Sequence, residues 1–344
     1  MKKNKNIQMV IIISLAVILI GLIGFLVLRN NKNDGDKIEE ETTTTTTTKV
    51  VKIVNEASKT RPYAVMINNV DGARKLQSGL QDAYIIYEMM VEGGITRYLA
   101  LFMDKDVDRI GSIRSARHYY LDYALENDAI YVHHGYSPQA KSDWNSLGVD
   151  RIEVNESSTG WRDKSASKTY EYTLFTSTDK LSRGLGKKRV ERNKDLLLNY
   201  SADEVDIANK EGVISANNVY IKYSNTTKNN YVYDAENKVY LRSVNGKEQK
   251  DYVTGKQLSV KNIIVYDVKY SNIPGDTAGR QNIDNIGSGK GYFITGGYAV
   301  PITWEKKDRK SQTVYKYLDG KEIIVNDGNT FIQIMPSGQS LEIS

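Results

Sequence analysis

Two stretches of the sequence, PYAVMINNV (62–70) and AYIIYEMMVEGGITRYLALFM (83–103), carry the strongest indication of the fold. The first is a short apolar run, which is typical of a buried β-strand. The second contains two such runs around Gly93 and Gly94, a pair that favours a turn between strands. We therefore expect three strands near the start of a folded domain.

Helical patterns alternate with strands over the residues that follow. Apolar side chains recur at helical spacing in 115–126, and a Ser-Pro start with a glycine stop predicts a second short helix over 137–148. The segment AIYVHHG (129–135) lies between them and predicts another strand. We interpret 61–200 as an α/β domain with a mixed sheet.

The pattern changes near residue 200. From Asn217 onward, strand-like segments alternate with Asn-Gly, Asp-Gly and Gly-Gly pairs, which is typical of antiparallel sheets. We expect 201–216 to be a linker and 217–344 to be a mostly antiparallel β domain that folds on its own. The predicted fold class is α+β.

A membrane anchor is predicted at the N-terminus. Residues 7–28 contain no charge and, at 1.5 Å per residue in a helix, could cross about 30 Å of hydrocarbon. The basic tail 1–6 should stay cytoplasmic, so that the later domains are extracytoplasmic and the chain crosses the cell membrane once. A cleaved signal peptide is the alternative, but its apolar run is usually about 7 to 15 residues. The polar, threonine-rich segment 29–60 predicts a disordered tether.

Composition excludes several classes of protein. The 344-residue chain has no cysteine, which rules out disulfide scaffolds, cysteine-ligated metal sites and thiol catalysis. Its formal net charge of +5 arises from the N-terminal segment 1–32, which has five basic residues and no acidic one. The rest of the chain is balanced, so nucleic acid is not an expected partner. We also expect no cofactor and no metal site.

A pair of carboxylates is the first candidate for chemistry. Glu88 and Glu92 lie four residues apart, a spacing that brings them together on either a strand or a helix. Two such carboxylates could act as acid and base on a glycosidic bond. The alternative, which we favour, is an ion-pair network with Arg97, Arg114 and Arg117.

The same arginines suggest an anion site. Arg114 and Arg117 lie at the predicted start of the helix over 115–126, where Ser112 or Ser115 could cap. Guanidinium groups beside free helix N–H groups can bind a phosphate or carboxylate. We therefore assign Arg97, Arg114 and Arg117 as binding candidates.

Two adjacent histidines end the strand predicted over 129–135. Neighbouring residues of a strand point to opposite faces, so that one of the pair is expected to face the cleft. His133 is a catalytic candidate beside Glu88 and Glu92, and His134 is a binding candidate beside the arginines. A histidine buried in the core is an equally good interpretation.

Several of these strings together resemble a known bacterial family. RPYAVMINN (61–69), EGGITR (92–97), IRSAR (113–117), KNIIVYDV (261–268) and DGNTFIQIMP (327–336) look like the YerB-like lipoprotein family, domain of unknown function 3048. The resemblance covers 61 to about 339 and implies an N-terminal and a C-terminal domain. It also implies an exported, lipid-anchored protein, whereas this chain has a predicted spanning helix. Where the family often has a His-Asn pair, this chain has Glu171 and Tyr172.

These observations predict a membrane-anchored protein of the cell envelope. The favoured function is binding of a wall polymer, a glycan or an envelope partner protein. The alternative is a hydrolase or transferase that acts on peptidoglycan or a wall glycan through Glu88 or Glu92. In an enzyme the carboxylates should be open to a groove and unpaired, whereas in a binding module they should be neutralised by arginines.

Overall fold

The computed structural model describes residues 49–344, which form one compact unit. The predicted cytoplasmic tail 1–6, the predicted spanning segment 7–28 and the tether up to residue 48 lie outside the described residues. Within 49–344, no helix is both long enough and apolar enough to cross a membrane.

The described part of the chain is built mostly from strands. Its α-helices are α1 (Asp71–Arg74), α2 (His118–Glu126), α3 (Pro138–Leu147) and α4 (Thr178–Arg183). The strands up to residue 201 are β1 (Tyr63–Asn68), β2 (Ile85–Met90), β3 (Thr96–Phe102), β4 (Ile110–Gly111), β5 (Ile130–His133), β6 (Arg151–Glu153), β7 (Trp161–Arg162), β8 (Leu174–Thr176) and β9 (Asn199–Ser201). The later strands are β10 (Ile214–Ser215), β11 (Asn218–Lys222), β12 (Lys228–Asp234), β13 (Val239–Val244), β14 (Lys247–Glu248), β15 (Ser259–Val260), β16 (Asn262–Val268), β17 (Tyr270–Asn272), β18 (Gln281–Ile283), β19 (Gly287–Thr295), β20 (Tyr298–Lys306), β21 (Val314–Tyr317), β22 (Ile324–Asn326), β23 (Thr330–Pro336) and β24 (Leu341–Ile343).

An eleven-stranded mixed sheet forms the centre of the molecule. Its strand order is β10-β20-β19-β16-β23-β2-β3-β1-β5-β6, with β21 paired to β20. The expected combination of a mixed sheet, antiparallel sheets and a few helices is confirmed. The two strands predicted around Gly93 and Gly94 are β2 and β3, which pair antiparallel.

Six strands of the central sheet run in one direction. β16, β23 and β2 are mutually parallel, and so are β1, β5 and β6. Because β3 is antiparallel to both β2 and β1, the two sets point the same way. We call the end of the sheet at which β1, β2 and β5 finish the carboxyl edge, and the opposite end the amino edge.

The central sheet crosses the predicted domain boundary. β23, near the end of the chain, lies between β16 and β2, and Ile332 is opposite Ile264 on one side and Tyr87 on the other. The structure thus differs from the expectation of an independent C-terminal domain. The change in composition near residue 200 reflects a change from helix-containing to strand-only segments, and it carries no information about which strands pair.

Each face of the central sheet is covered by a different layer. α2 and α3 pack on one face, where Tyr120 and Trp144 join Tyr87 and Leu99 in a buried cluster. A six-stranded antiparallel sheet, β14-β13-β12-β11-β24 with β15 on β13, packs on the other. We call these the helix face and the sheet face.

The folded part begins earlier than the predicted boundary at residue 61. Val54 is buried, and the carboxylate of Asp327 accepts hydrogen bonds from the backbone N–H groups of Lys52 and Ile53. The apolar residues of 50–54 supply the hydrophobic surface that the threonine run lacks. The predicted linker 201–216 is packed as well, since the side chain of Ile207 is buried.

The two predicted helices differ in how they begin. α3 has the expected signals: Ser137 Oγ accepts from the Ala140 N–H, and Gly148 ends the helix in a left-handed conformation. α2 begins at His118 after Arg117, with no side-chain cap. The caps predicted at Ser112 or Ser115 are therefore wrong.

Candidate anion-binding site

Glu88 lies in the interior of the protein. It is on β2, on the sheet face, and no part of it is exposed to solvent. Its Oε2 is 2.6 Å from Nη2 of Arg242, which is on β13 of the covering sheet and is also fully buried. Glu88 thus pairs with an arginine of the second half of the chain, rather than with Arg114 or Arg117.

The Glu88 carboxylate also accepts hydrogen bonds from four neutral side chains. Oε1 accepts from Thr96 at 2.7 Å and from Asn69 at 3.3 Å, while Oε2 also accepts from Asn229 at 2.9 Å and Gln333 at 3.1 Å. A buried ion pair with such partners is stable only while it stays intact. Glu88 is thus enclosed by its partners and separated from solvent.

The turn after β2 carries Glu92 to a different place. The strand ends at Met90, and a short 3₁₀ turn over Glu92–Gly94 follows. Gly94 has φ +69°, and a Cβ there would lie 2.8 Å from Ser224 Oγ, so a larger residue would be strained and crowded. The two carboxylates are therefore separated: Glu88 is on the sheet face, and Glu92 contacts the arginines at the carboxyl edge.

Glu92 binds two of the predicted arginines. Arg117 donates from Nε and Nη2 to its two carboxylate oxygens, the second at 2.8 Å. Arg97 Nη2 lies 3.7 Å from Glu92 Oε2, and Arg97 Nη1 donates to the Ser115 carbonyl at 2.6 Å. Burial alone would raise the pKa of Glu92, but hydrogen bonds and charge from Arg117 hold it below its usual value.

Positive charge exceeds negative charge in this cluster. We call Glu92, Arg97, Arg114 and Arg117 the arginine site. Burial, followed by repulsion from Arg117, lowers the pKa of Arg97 to about 9, although Glu92 acts in the opposite direction. Together with the exposed Glu171, whose charge acts on Arg114, two carboxylates face three guanidinium groups, so an added anion would be favourable here.

Arg114 is the most accessible arginine of the three. It is half-buried, and its Nε has no hydrogen-bond partner among the described residues. Burial lowers the pKa of Arg114, the exposed carboxylate of Glu171 raises it, and Arg117 lowers it again. Arg114 is therefore the residue best placed to meet an incoming anion.

Further hydrogen-bond donors lie near these arginines. Asn68 is directly opposite Arg97 in the sheet, and the Asn68 N–H donates to the Ser112 carbonyl at 2.9 Å. Asn68 Nδ2, Ser112 Oγ and Arg97 Nε are all buried without a partner among residues 49–344. Buried polar groups are normally paired. The unpaired nitrogens are donors, but Asn68 and Ser112 have no exposed surface, so Arg114 is the group that an accepting ligand can reach.

His133 is locked in the neutral form. It is fully buried on the helix face and stacks on Trp144 at a centroid distance of 5.3 Å. Its Nδ1 is 2.8 Å from the Gly135 carbonyl, so Nδ1 carries the proton, and Nε2 accepts from Arg151 at 3.1 Å. Burial lowers the pKa of His133 to about 4. A role as a catalytic base is not supported, since neither ring nitrogen is free.

His134 points the other way, as expected for its neighbour. Its Nδ1 is 2.8 Å from the Val154 carbonyl, and its Nε2 is 3.3 Å from Nη2 of Arg162. The His134 N–H donates to the carbonyl of Arg114 at 3.1 Å. His134 therefore holds the backbone of Arg114 through its own backbone N–H, and both of its ring nitrogens already have partners.

The buried imidazole predicts a pH-dependent stability. The unfolded chain binds a proton at His133 near pH 6.5 and the folded protein only near pH 4, so acidification through this interval favours unfolding by up to about 3 kcal/mol. In denaturant titrations, the free energy of unfolding of wild type minus that of His133→Asn should be smaller at pH 4 than at pH 7. Other titrating groups, such as Asp122, are common to both proteins and cancel. A difference that is independent of pH would contradict the assignment.

Several residues of this region were not predicted. Asn68 lies opposite Arg97 in the central sheet, and Arg162 reaches His134 from β7 of a separate three-stranded sheet, contacts for which the sequence offers no local signal. The same holds for Ser112 and Arg151. Arg242 did carry a signal in the sequence, because an arginine within the apolar strand YLRSV indicates a buried acidic or polar partner.

Comparison with known proteins defines the family. Residues 47–191 match the model described as protein of unknown function (DUF3048) N-terminal domain, and residues 219–332 match the model of its C-terminal domain. The chain belongs to the DUF3048 family. The resemblance inferred from the sequence is confirmed, and the change in composition near residue 200 falls between the two matched ranges.

Relatives of this DUF3048 chain include a protein of Bacillus subtilis (strain 168). The chain is 31% identical over 300 residues to "Putative lipoprotein YerB", which covers 86% of this chain and 87% of that protein. It is also similar to the crystal structure of the YerB protein from Bacillus subtilis, with a TM-score of 0.69 and 30% identity over 82% of this chain and 94% of the other. The DUF3048 fold is thus shared along most of both chains.

Proposed function

We propose that this DUF3048-family protein is an extracytoplasmic protein of the cell envelope that binds an anionic group of an envelope ligand at the arginine site. The observation that carries the proposal is that Arg97 and Arg117 already share the carboxylate of Glu92, while Nε of Arg97 and Nε of Arg114 are buried without a partner among residues 49–344. The location is supported by the lipoprotein name of the Bacillus subtilis relative and by the apolar segment 7–28. A single-pass anchor at 7–28 is part of the proposal.

The position of the site in the fold supports a binding role. It lies at the carboxyl edge, beyond the ends of the parallel strands β1 and β5. Loops at this end of parallel strands are the usual place for ligands in sheets covered by helices. The arginines come from two segments: Arg97 is the second residue of β3, whereas Arg114 and Arg117 lie in the loop that leads into α2.

The geometry favours binding over hydrolysis. Glu88 is closed off by Arg242 and four neutral donors. Glu92 is neutralised by Arg117 and Arg97. Neither carboxylate is free to protonate a leaving group or to activate water, which is what an acid–base mechanism on a glycosidic bond needs.

Binding of inorganic phosphate to the purified full-length protein tests the proposal. We expect phosphate to raise the melting temperature, with Arg114→Gln weakening the affinity by about 10- to 100-fold, because a charge-assisted hydrogen bond is lost. Glu171→Gln should strengthen it a few-fold, since Glu171 competes for Arg114. Isothermal titration calorimetry measures both effects.

A matched control removes an arginine elsewhere. Arg183 on α4 is exposed and pairs with Asp179, so Arg183→Gln should leave phosphate binding unchanged. The proposal is refuted if Arg114→Gln and Arg183→Gln bind phosphate equally well. Retention on isolated cell walls should follow the same order and fall with added salt.

A further inference from the structure

An exposed tyrosine, Tyr170, directly precedes Glu171, whose carboxylate acts on Arg114. We infer that the ligand is a glycan whose sugar ring stacks on Tyr170 while an anionic substituent of that glycan binds Arg114. This inference rests on the proposed function and names its ligand class. It joins two features that the anion site alone does not explain: the exposure of Tyr170 and the way in which its ring is held.

Tyr170 is exposed but not free. Its side chain is 59% accessible, yet the guanidinium carbon of Arg162 lies 3.6 Å from the centre of its ring. Its hydroxyl donates to Glu156 Oε1 at 3.1 Å, and its carbonyl accepts from Arg162 Nη1 at 2.8 Å. A ring fixed in this way loses little entropy on binding and offers a ready stacking surface.

Arg162 connects this surface to the arginine site. Its side chain is 3% exposed, and its Nη2 lies 3.3 Å from Nε2 of His134. The backbone N–H of His134 in turn donates to the Arg114 carbonyl at 3.1 Å. The 3₁₀ turn Tyr170–Tyr172 also brings Glu171 close enough to raise the pKa of Arg114. Tyr170 is therefore connected to Arg114 through Arg162 and His134.

The chemistry of this surface fits an anionic sugar. The apolar C–H face of a sugar ring packs on an aromatic ring, as tyrosine rings do with other partly apolar surfaces. Arg114 supplies the charge, and its Nε has no hydrogen-bond partner among residues 49–344. Either a carboxylate or a phosphate on the sugar provides the acceptor oxygens, and the two sources are separated by experiment.

Titration calorimetry on the full-length protein uses matched ligands. The carboxylate arm compares a tetrasaccharide of alternating N-acetylglucosamine and N-acetylmuramic acid with chitotetraose, which lacks the carboxylates, and with lactate, which lacks the sugar. The phosphate arm compares glucose 1-phosphate with glucose and inorganic phosphate. In at least one arm, the anionic sugar should bind more tightly than both of its controls.

Three variants separate the two proposals. Tyr170→Ala should weaken the anionic sugar about five- to tenfold and leave the free anion unchanged, whereas Arg114→Gln should weaken both. Tyr298→Ala is the matched control, because Tyr298 is 41% exposed and lies on β20, six strands from β1. Unchanged melting temperatures of the tyrosine variants exclude an effect on folding.

The outcomes are distinct. If Tyr170→Ala binds the anionic sugars as well as wild type does, or loses sugar and free anion equally, the stacking inference is overturned while the anion site stands. The same holds if lactate or inorganic phosphate binds but neither anionic sugar does. If Arg114→Gln leaves all anions unaffected, the proposed function itself fails.

Discussion

Replacing Glu88 by alanine should destabilise the protein by about 3–5 kcal/mol, because the change leaves Arg242 as a buried charge without a partner. Both side chains are fully buried, and the distance between Glu88 Oε2 and Arg242 Nη2 is 2.6 Å. A loss of this size corresponds to a fall in melting temperature on the order of 10 °C for a domain of this size. Thermal unfolding followed by circular dichroism measures it.

An exposed ion pair provides the matched control. Glu204 and Lys238 lie 2.5 Å apart, with side chains about half exposed, so that Glu204→Ala should change stability by no more than about 0.5 kcal/mol. Equal shifts for Glu88→Ala and Glu204→Ala would mean that the buried pair does not hold the two layers together. If Glu88→Ala kept the wild-type melting temperature but lost ligand binding, Glu88 would be a binding residue rather than a structural one.

Separating the chain at the predicted linker should abolish folding of the C-terminal half. In a fragment of residues 217–344, β23 would lose β2 as its neighbour, which would expose one edge of β23 and the apolar side chains beneath it. Arg242 would also lose Glu88. We expect this fragment to aggregate or to unfold without a cooperative transition.

The control keeps the same position but preserves covalent continuity. A ten-residue Gly/Ser insertion between Glu211 and Gly212, both exposed, should be tolerated, because lengthening a surface loop costs little entropy. Calorimetry on the insertion variant should show one unfolding transition. A fragment 217–344 with its own cooperative transition would restore the view of two independent domains.

Local patterns in the sequence predicted the local structure well. β2, β3 and α3 lie close to where the apolar runs and the Ser137 and Gly148 signals placed them, because strand alternation and helix capping act between residues near in sequence. The contacts of Glu92 with Arg97 and Arg117 follow for the same reason, since a single hairpin and its next loop contain all three.

Long-range pairing could not be predicted. Glu88 and Arg242 are 154 positions apart, and a polar residue in a strand shows only that some partner is needed. The same holds for β23, whose apolar run is typical of a strand buried between two others but does not name them. The Glu88 expectation failed because nearby arginines were assumed to be its partners, whereas the strand turned its side chain to the opposite face.

The packing of residues 49–60 also determines how the protein responds to a pulling force. This segment joins the fold at the amino edge, where Asp327 holds Lys52 and Ile53, while Arg114 lies at the carboxyl edge. A tension applied between the preceding chain and a ligand at Arg114 would act along β1 and β3, parallel to the strands. The hydrogen bonds at their six paired positions would then be loaded in shear and would break together rather than one by one. The folded protein would therefore withstand the tension until the pairing of β1 and β3 is lost in a single step.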